Sequence, residues 1–385
     1  MLKGETIVCV AAADYHGMWA RAQQLMTVYA RHDCRVLYID PPITLLSPVK
    51  NPELRKRLSM RLDRVEKNIF IFRPPVFLPF GNMRRWINKL NQRWLVYSIQ
   101  KVLKEIGWSP TLWWTYLANT VDLLPYITEQ VTVCYDCADE HAAFPGFIDV
   151  PTVDKMEKEL FAIASVNLVT AGELWERKKK YAHGLELIPN GAEVEHFGQA
   201  LSEILSVAEE VAGLPTPVVG YVGAISSWLD QEALADLAKA RPDWSIVLIG
   251  PVDTDVTMIK QFNNIIFLGK KDYRDLPRYI KGFDVCVIPF KINALTVGVN
   301  PVKLYEYLAA GKPVVSTALP EVRQFAPLVS IAENSKDFVA LVTEEVMTDS
   351  REKRLLRVKT ASENSWEARA EAASSKIMTF RNSKS

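Results

Sequence analysis

No uninterrupted apolar run in this 385-residue chain approaches the ~20 residues that a membrane-spanning helix needs, so no such span is expected. No secretion signal is expected either, because the first residues hold a charged start and only a short apolar run. Cysteine is scarce and odd in number, and four of the five (Cys9, Cys134, Cys137 and Cys286) fall in apolar, strand-like runs. That distribution predicts buried free thiols in a reducing, cytoplasmic compartment rather than a disulfide framework. Cys134 and Cys137 form a C-x-x-C, yet no second pair and no clustered histidines accompany it, so neither zinc nor redox chemistry is expected there. Excess charge is also missing: a net charge of +1 excludes a protein that coats nucleic acid over its whole surface. Repeats and low-complexity tracts are absent.

What is present is ordinary globular material, 49% hydrophobic and 24% charged, in a chain longer than one core usually supports; two domains are expected. An apolar strand at 6–13 is followed by a loop holding Asp14, His16 and Gly17, an amphipathic helix over about 18–30 and a strand at 36–39. Strand, loop, helix, strand opens a parallel doubly wound sheet, whose ligands bind beyond the carboxyl ends of the strands. Asp14 and His16 are therefore candidates for the edge of an acceptor site, and His16 reads equally well as a solvated loop residue. Further strands are expected at 113–116 and 131–135, a helix at 152–164, a strand at 166–170 and a helix at 173–181. After a linker over about 192–217, with its own helix at 201–212, the alternation restarts at 218 and continues through a helix at 301–310 and a strand at 313–316.

Charge is unevenly spread. Residues 53–105 hold 13 Lys and Arg against four Asp and Glu. Arg84, Arg85, Lys89 and Arg93 interleave with Trp86, Ile87, Leu90 and Trp94 at helical spacing, a pattern that fits either a helix lying on an anionic membrane surface or one whose tryptophans pack inward beneath solvated cations.

The stretch 300–315 reads NPVKLYEYLAAGKPVV. Lys303 and Glu306 share a helix face by their spacing of three, while Leu304, Tyr307, Leu308 and Ala309 turn towards a core. A cation and a carboxylate beside a helix start suit a ligand with an anionic part and vicinal hydroxyls, such as a nucleotide sugar. A lone K-x-x-E is more often an exposed ion pair.

In context this stretch resembles the donor-site motif of GT-B fold glycosyltransferases, especially family-4-type bacterial enzymes of cell-surface polysaccharide synthesis. The resemblance extends to GYVGAISSW at 220–228, YRDLP at 273–277, Pro289-Phe290 and IPNG at 188–191. It implies an α/β fold of two doubly wound, Rossmann-like domains facing a cleft: an acceptor domain over 1–198 joined by a C-terminal helix at 366–385, and a nucleotide-sugar donor domain over 199–365. It implies a nucleotide-diphosphate sugar as donor and a lipid-linked or polysaccharide acceptor; no metal or other cofactor is expected, on the reading that the chain carries no D-x-D, so that Lys303, a helix terminus and backbone N–H groups would meet the phosphate charge. Gly223 and Ala224 would admit the diphosphate, Lys303 would neutralise it, Glu306 would hold the ribose, and Thr296 and Asn300 would line the approach to the helix. Two departures stand out. The family's second glutamate, eight residues before Glu306, is replaced by Gly298, and the loop 224–230 lacks the usual Arg and Lys.

The run Asp136-Cys137-Ala138-Asp139-Glu140-His141 places three carboxylates and a histidine at a strand end, where a base or a charge stabiliser belongs. Asp139 resembles the base of xanthan-type inverting glucuronosyltransferases, whereas retaining relatives use a histidine in this region, so Asp139 and His141 are the catalytic candidates. Asp136 is expected to accept hydrogen bonds from backbone N–H groups at the turn. Retention is favoured over inversion because 300–315 is closer to the retaining family. Two other functions compete: a nucleotide-sugar epimerase of the same fold, and a non-catalytic subunit that binds nucleotide sugar. The expected location is the cytoplasm, with peripheral contact at the inner membrane face through 53–105.

Overall fold

The computed structural model describes residues 1–140 and 148–384, and the chain divides into two compact units. The first comprises Met1–Pro189 with Arg369–Ser385, the second Asn190–Ala368. Sequence patterning places the first boundary at 198, but the short helix Val194–Gly198 buries Phe197 in the core of the second unit, so the division falls after Pro189.

The first unit is built on an eight-stranded sheet. Its elements are β1 (Thr6–Val10), α1 (Arg21–Arg31), β2 (Arg35–Ile39), β3 (Arg61–Glu66), β4 (Ile69–Arg73), α2 (Arg85–Ile106), β5 (Leu112–Thr115), β6 (Thr132–Cys137), α3 (Val150–Ile163), β7 (Val166–Val169), α4 (Gly172–Lys178) and β8 (Leu185–Leu187). The strand order is β3-β4-β2-β1-β5-β6-β7-β8. Every neighbouring pair is parallel except β3 with β4. Helices cover both faces of such a sheet, which is why β1, β2, β5 and β6 are unbroken apolar runs rather than alternating ones. The β3–β4 hairpin is not legible in the sequence, because Arg61 and Arg64 mark that stretch by charge. They lie on an edge strand, where outward cations discourage pairing with another chain.

In α2, Leu95, Val96, Ile99, Val102 and Leu103 face the core, as do Asn88, Asn91 and Gln92 in its first half. Trp86, Leu90, Trp94 and Tyr97 are exposed at 64%, 50%, 48% and 68%. Spaced by four, four and three, they form one stripe along the helix. The tryptophans therefore point outward, and the inward-packing reading is excluded.

The second unit holds β9 (Val218–Val222), α5 (Gln231–Ala240), β10 (Ser245–Ile249), β11 (Ile265–Gly269), α6 (Leu276–Lys281), β12 (Val285–Ile288), α7 (Val302–Ala309), β13 (Val314–Thr317), β14 (Ser330–Ala332), α8 (Ser335–Thr348) and α9 (Arg351–Glu363). Its six strands are parallel in the order β11-β10-β9-β12-β13-β14. The helix expected at 201–212 is reduced to a 3-10 turn at Gln199–Leu201 and a single turn at Glu209–Ala212. Between them Ile204 is almost fully exposed, so no continuous apolar face supports a longer helix. Last comes α10 (Trp366–Lys384), which belongs to the first unit from Arg369 onward. There Ala370 O accepts a hydrogen bond from the Tyr29 hydroxyl at 3.0 Å, and Arg381 pairs with Glu5 at 2.7 Å.

Candidate functional site

In the second unit, β9 and β10 end in Gly223 and Gly250, both at φ +150°, a backbone conformation that side chains disfavour. The two ends close on each other: Gly223 N donates to Ile249 O at 2.8 Å, and a Cβ on Gly250 would lie 2.0 Å from Gly223 O. A Cβ on Gly223 would lie 2.8 Å from Lys303 Cε. The lysine thus occupies the space that the missing side chain leaves. Its ammonium sits 5.3 Å from the ring centre of Tyr221 and 4.6 Å from that of Phe290.

Lys303 and Glu306 are on α7, whose first N–H groups receive no side-chain cap. Burial pulls the Lys303 ammonium down to about 8, with Glu306 opposing that shift. Burial pushes the Glu306 carboxyl up to about 7, partly offset by Lys303 and reinforced by Glu193. A cation and a carboxylate, each partly stripped of water and held at a helix N-terminus, can bind a ligand that carries both phosphate and hydroxyl groups.

The approach to α7 is held from within. Thr296 is buried, its hydroxyl donates to Lys291 O, and it accepts from Asn293 N at 3.0 Å. Asn300 is buried too: its Oδ1 accepts from Asn190 N at 3.0 Å, its carbonyl accepts from Asn190 Nδ2 at 2.7 Å, and its own Nδ2 donates to Glu321 at 2.9 Å. Both side chains shape the loop in this arrangement. Ala224 is anchored through its carbonyl, which accepts from the Tyr221 hydroxyl at 2.8 Å.

The expectation of no metal passed over one D-x-D, Asp253-Thr254-Asp255, which follows β10. Both carboxylates are exposed and serve local contacts: Asp253 accepts from Ser226 Oγ, and Asp255 caps Thr257 N at 2.9 Å. Among the described residues no group of three His, Cys, Asp or Glu is placed to hold a metal ion. Cys134 and Cys137 lie three apart on a strand, hence on opposite faces, and both thiols are buried.

In the first unit, Asp136 is fully buried but does not accept from backbone N–H groups at a turn. Instead its oxygens take the Arg21 guanidinium at 2.9 and 2.8 Å and the Trp114 indole N–H at 3.2 Å. The next residues are fixed by a second buried network. Thr170 Oγ1 donates to Ala138 O at 2.8 Å, the Lys178 ammonium bridges Glu140 at 2.7 Å and Glu157 at 2.6 Å, and the Tyr135 hydroxyl donates to Glu157 at 2.8 Å. Asp139 is half-buried within this frame, and His141 lies outside the described residues. At the end of β1, Asp14 pairs with Arg57 at 2.6 Å while its Oδ1 is buried without a hydrogen-bond partner. Next to it His16 is exposed, edge-on to the Tyr15 ring.

Sequence reading missed Gly250, although a glycine closing a strand and followed by Pro251 signals a strained strand end. It also missed Arg57 and Lys178, which reach their partners from 43 and 38 positions away, beyond any local pattern.

Residues 216–344 match the family model for glycosyl transferases group 1. The TuaH protein of Bacillus subtilis (strain 168), described as a teichuronic acid biosynthesis glycosyltransferase, is 31% identical over 225 residues, 54% of this chain and 55% of that protein. The chain therefore spans about half the length of the curated relative it matches. Among solved structures, sucrose-phosphate synthase from Thermosynechococcus elongatus superposes with a TM-score of 0.70 at 16% identity, covering 98% of this chain and 100% of that one. A UDP-forming α,α-trehalose-phosphate synthase from Burkholderia xenovorans, solved with glucose-6-phosphate, gives 0.70 at 11% identity over 97% and 99% of the two chains. At these identities the structural matches establish the fold. The chain has the GT-B fold, and its residues 216–344 are similar to the glycosyl transferases group 1 family.

Proposed function

We propose that the protein transfers a sugar from a nucleotide-diphosphate donor to a hydroxyl of a lipid-linked or polysaccharide acceptor, without a metal cofactor. The observation that carries this reading is the Lys303–Glu306 face at the start of α7, set against the side-chain-free strand ends at Gly223 and Gly250. In this reading the donor diphosphate lies along the two glycines. Lys303 and the N–H groups of α7 offset its charge as the anomeric C–O bond breaks, and Glu306 accepts from the ribose hydroxyls. The acceptor hydroxyl adds to the anomeric carbon. Its proton passes to a leaving phosphate oxygen if configuration is retained, or to Asp139 if it is inverted. Retention is the reading adopted, on the resemblance of 300–315 to the retaining family.

A polysaccharide or lipid-linked acceptor is supported by the likeness to a teichuronic acid enzyme and by the exposed stripe of Trp86, Leu90, Trp94 and Tyr97. Aromatic rings flanked by Lys89 and Arg93 suit the interface of an anionic membrane, the inner face of the cell membrane in this reading.

The test is incubation with a panel of labelled nucleotide sugars, with and without membrane lipid extract. Nucleotide release that requires the extract and disappears in Glu306→Ala supports transfer. Isomerised donor without extract would instead identify an epimerase, and binding without turnover a non-catalytic subunit.

A further inference from the structure

In the second unit β9 lies between β10 and β12, and the chain order reverses there: β10 and β11 follow on one side, β12, β13 and β14 on the other. Ligands of such sheets enter the crevice outside the carboxyl ends of the strands at that reversal. Its two walls are the loops 224–230, after β9, and 290–299, after β12. They are tied to each other: Leu229 pairs with Phe290 in an antiparallel bridge, Asp230 N donates to Pro289 O, and Lys291 N donates to Trp228 O, the last two at 2.8 Å.

These walls are poor in charge. Loop 224–230 holds only Asp230, whose Oδ1 accepts from Ala233 N at 3.2 Å to cap α5, and loop 290–299 holds only Lys291. Lys291 is therefore the single cation of the two walls. Its backbone is braced at both peptide groups. Besides the N–H bond to Trp228, its carbonyl accepts from the hydroxyl of buried Thr296, and Asn293 Oδ1 closes the same turn by accepting from Leu295 N at 3.0 Å and Thr296 N at 3.1 Å. Its side chain is exposed and enters no ion pair among the described residues. The preceding residue, Phe290, has its ring 4.6 Å from the Lys303 ammonium, so both lysines border one crevice.

A diphosphate carries more than one negative charge, and Lys303 supplies one cation in a mostly uncharged setting. An anion met by too few cations loses more on leaving water than it regains. We propose that Lys291 is the second cation of the diphosphate site and meets the phosphate farther from the nucleoside. The order follows from α7. With the ribose at Glu306, one turn further into the helix than Lys303, the phosphates run past Lys303 towards the helix start and the wall that carries Lys291. This role rests on the donor-site reading.

The test is calorimetry of the full chain with UDP, GDP, ADP, CDP and dTDP, each beside its monophosphate. For the diphosphate that binds, Lys291→Gln should lower affinity about tenfold, while affinity for the matching monophosphate stays within about twofold. Lys291→Arg should restore most of the loss, because it restores the charge. Raised salt should narrow the gap between the unmodified protein and Lys291→Gln, since an exposed cation is screened. The melting temperature should not move in either variant, which separates a ligand contact from a structural role. Unchanged diphosphate affinity in Lys291→Gln overturns the proposal and leaves the donor-site reading standing, as does an equal loss for monophosphate and diphosphate or a loss that Lys291→Arg fails to restore. If the unmodified protein binds none of the five diphosphates, the donor-site reading falls and the role of Lys291 falls with it.

Discussion

Lys303 fills the place of a side chain that Gly223 lacks: a Cβ on Gly223 would stand 2.8 Å from Lys303 Cε and 3.2 Å from its Nζ. The glycine at the end of β9 and the lysine at the start of α7 are thus one feature, 80 residues apart in sequence, and a side chain added at the glycine must displace the lysine.

Gly223→Ala should therefore displace the ammonium. Affinity for a nucleoside diphosphate in calorimetry should fall at least about tenfold, near the ~1.5–3 kcal/mol of a charged hydrogen bond. Gly250→Ala forces a Cβ to 2.0 Å from backbone, which cannot step aside as a lysine can, so it should lower the melting temperature more than Gly223→Ala does. Equal nucleotide affinity in Gly223→Ala would remove Lys303 from the donor site.

The same pair predicts a pH profile. In the folded protein Glu306 loses its proton at about 7 and Lys303 loses its own at about 8, so both charges coexist only in a narrow window between those values. Nucleotide diphosphate affinity should peak there and fall on either side. Glu306→Gln should abolish the acid limb. It should also move the basic limb down, because the carboxylate that raises the lysine is gone. Stability runs differently. Glu306 holds its proton more tightly folded than unfolded, so its contribution decreases as pH rises from about 4.5 to 7. Lys303 holds its proton less tightly folded than unfolded, so its contribution increases from about 8 to 10.5. Urea titrations of the wild type and of Glu306→Gln at several pH values check both signs.

Local pattern carries much of the architecture. The unbroken apolar runs at β1, β2, β9 and β10 and the helix period of 302–309 mark the parallel strands and α7 in the sequence itself, because both kinds of order are written in neighbouring residues. The loop chemistry is less legible. Asn300 reads as a ligand contact by position, yet its side chain is engaged by Asn190 and Glu321, a pairing that exists only after folding. In α2 the first half inverts the usual pattern, burying Asn88, Asn91 and Gln92 and exposing Trp86, Leu90 and Trp94, so hydrophobicity alone points the helix the wrong way.

That inversion can be tested on membranes. Arg85 is unsuitable for the purpose, since it is paired with Asp122 and Glu159. Trp86→Ser with Trp94→Ser should remove most binding to vesicles rich in anionic lipid and leave the melting temperature unchanged. Lys89→Gln with Arg93→Gln should weaken binding by about 1 kcal/mol per cation, an effect that added salt reproduces in the unmodified protein. Neutral vesicles should bind poorly throughout. Undiminished binding by the double tryptophan variant would move the contact elsewhere.

The last prediction separates two aspartates three residues apart. Asp136 is buried against Arg21, so Asp136→Asn leaves a guanidinium without its counter-charge in the core and should destabilise the protein by about 3–5 kcal/mol. Asp139 is half-buried beyond the end of the same strand, and the segment around it is held by Thr170, Lys178 and Glu157. Asp139→Asn should leave the melting temperature and nucleotide affinity nearly unchanged. Turnover then reports the mechanism. If Asp139 is the base of an inverting reaction, its loss should lower kcat by about 10²–10⁴-fold, because no other group takes the acceptor proton. If the leaving phosphate takes that proton, as the retaining reading holds, the effect should stay small. Proton NMR coupling at the new glycosidic bond gives an independent answer. A retained product together with a mild Asp139→Asn defect supports retention, whereas an inverted product together with a large one overturns it and makes Asp139 the base.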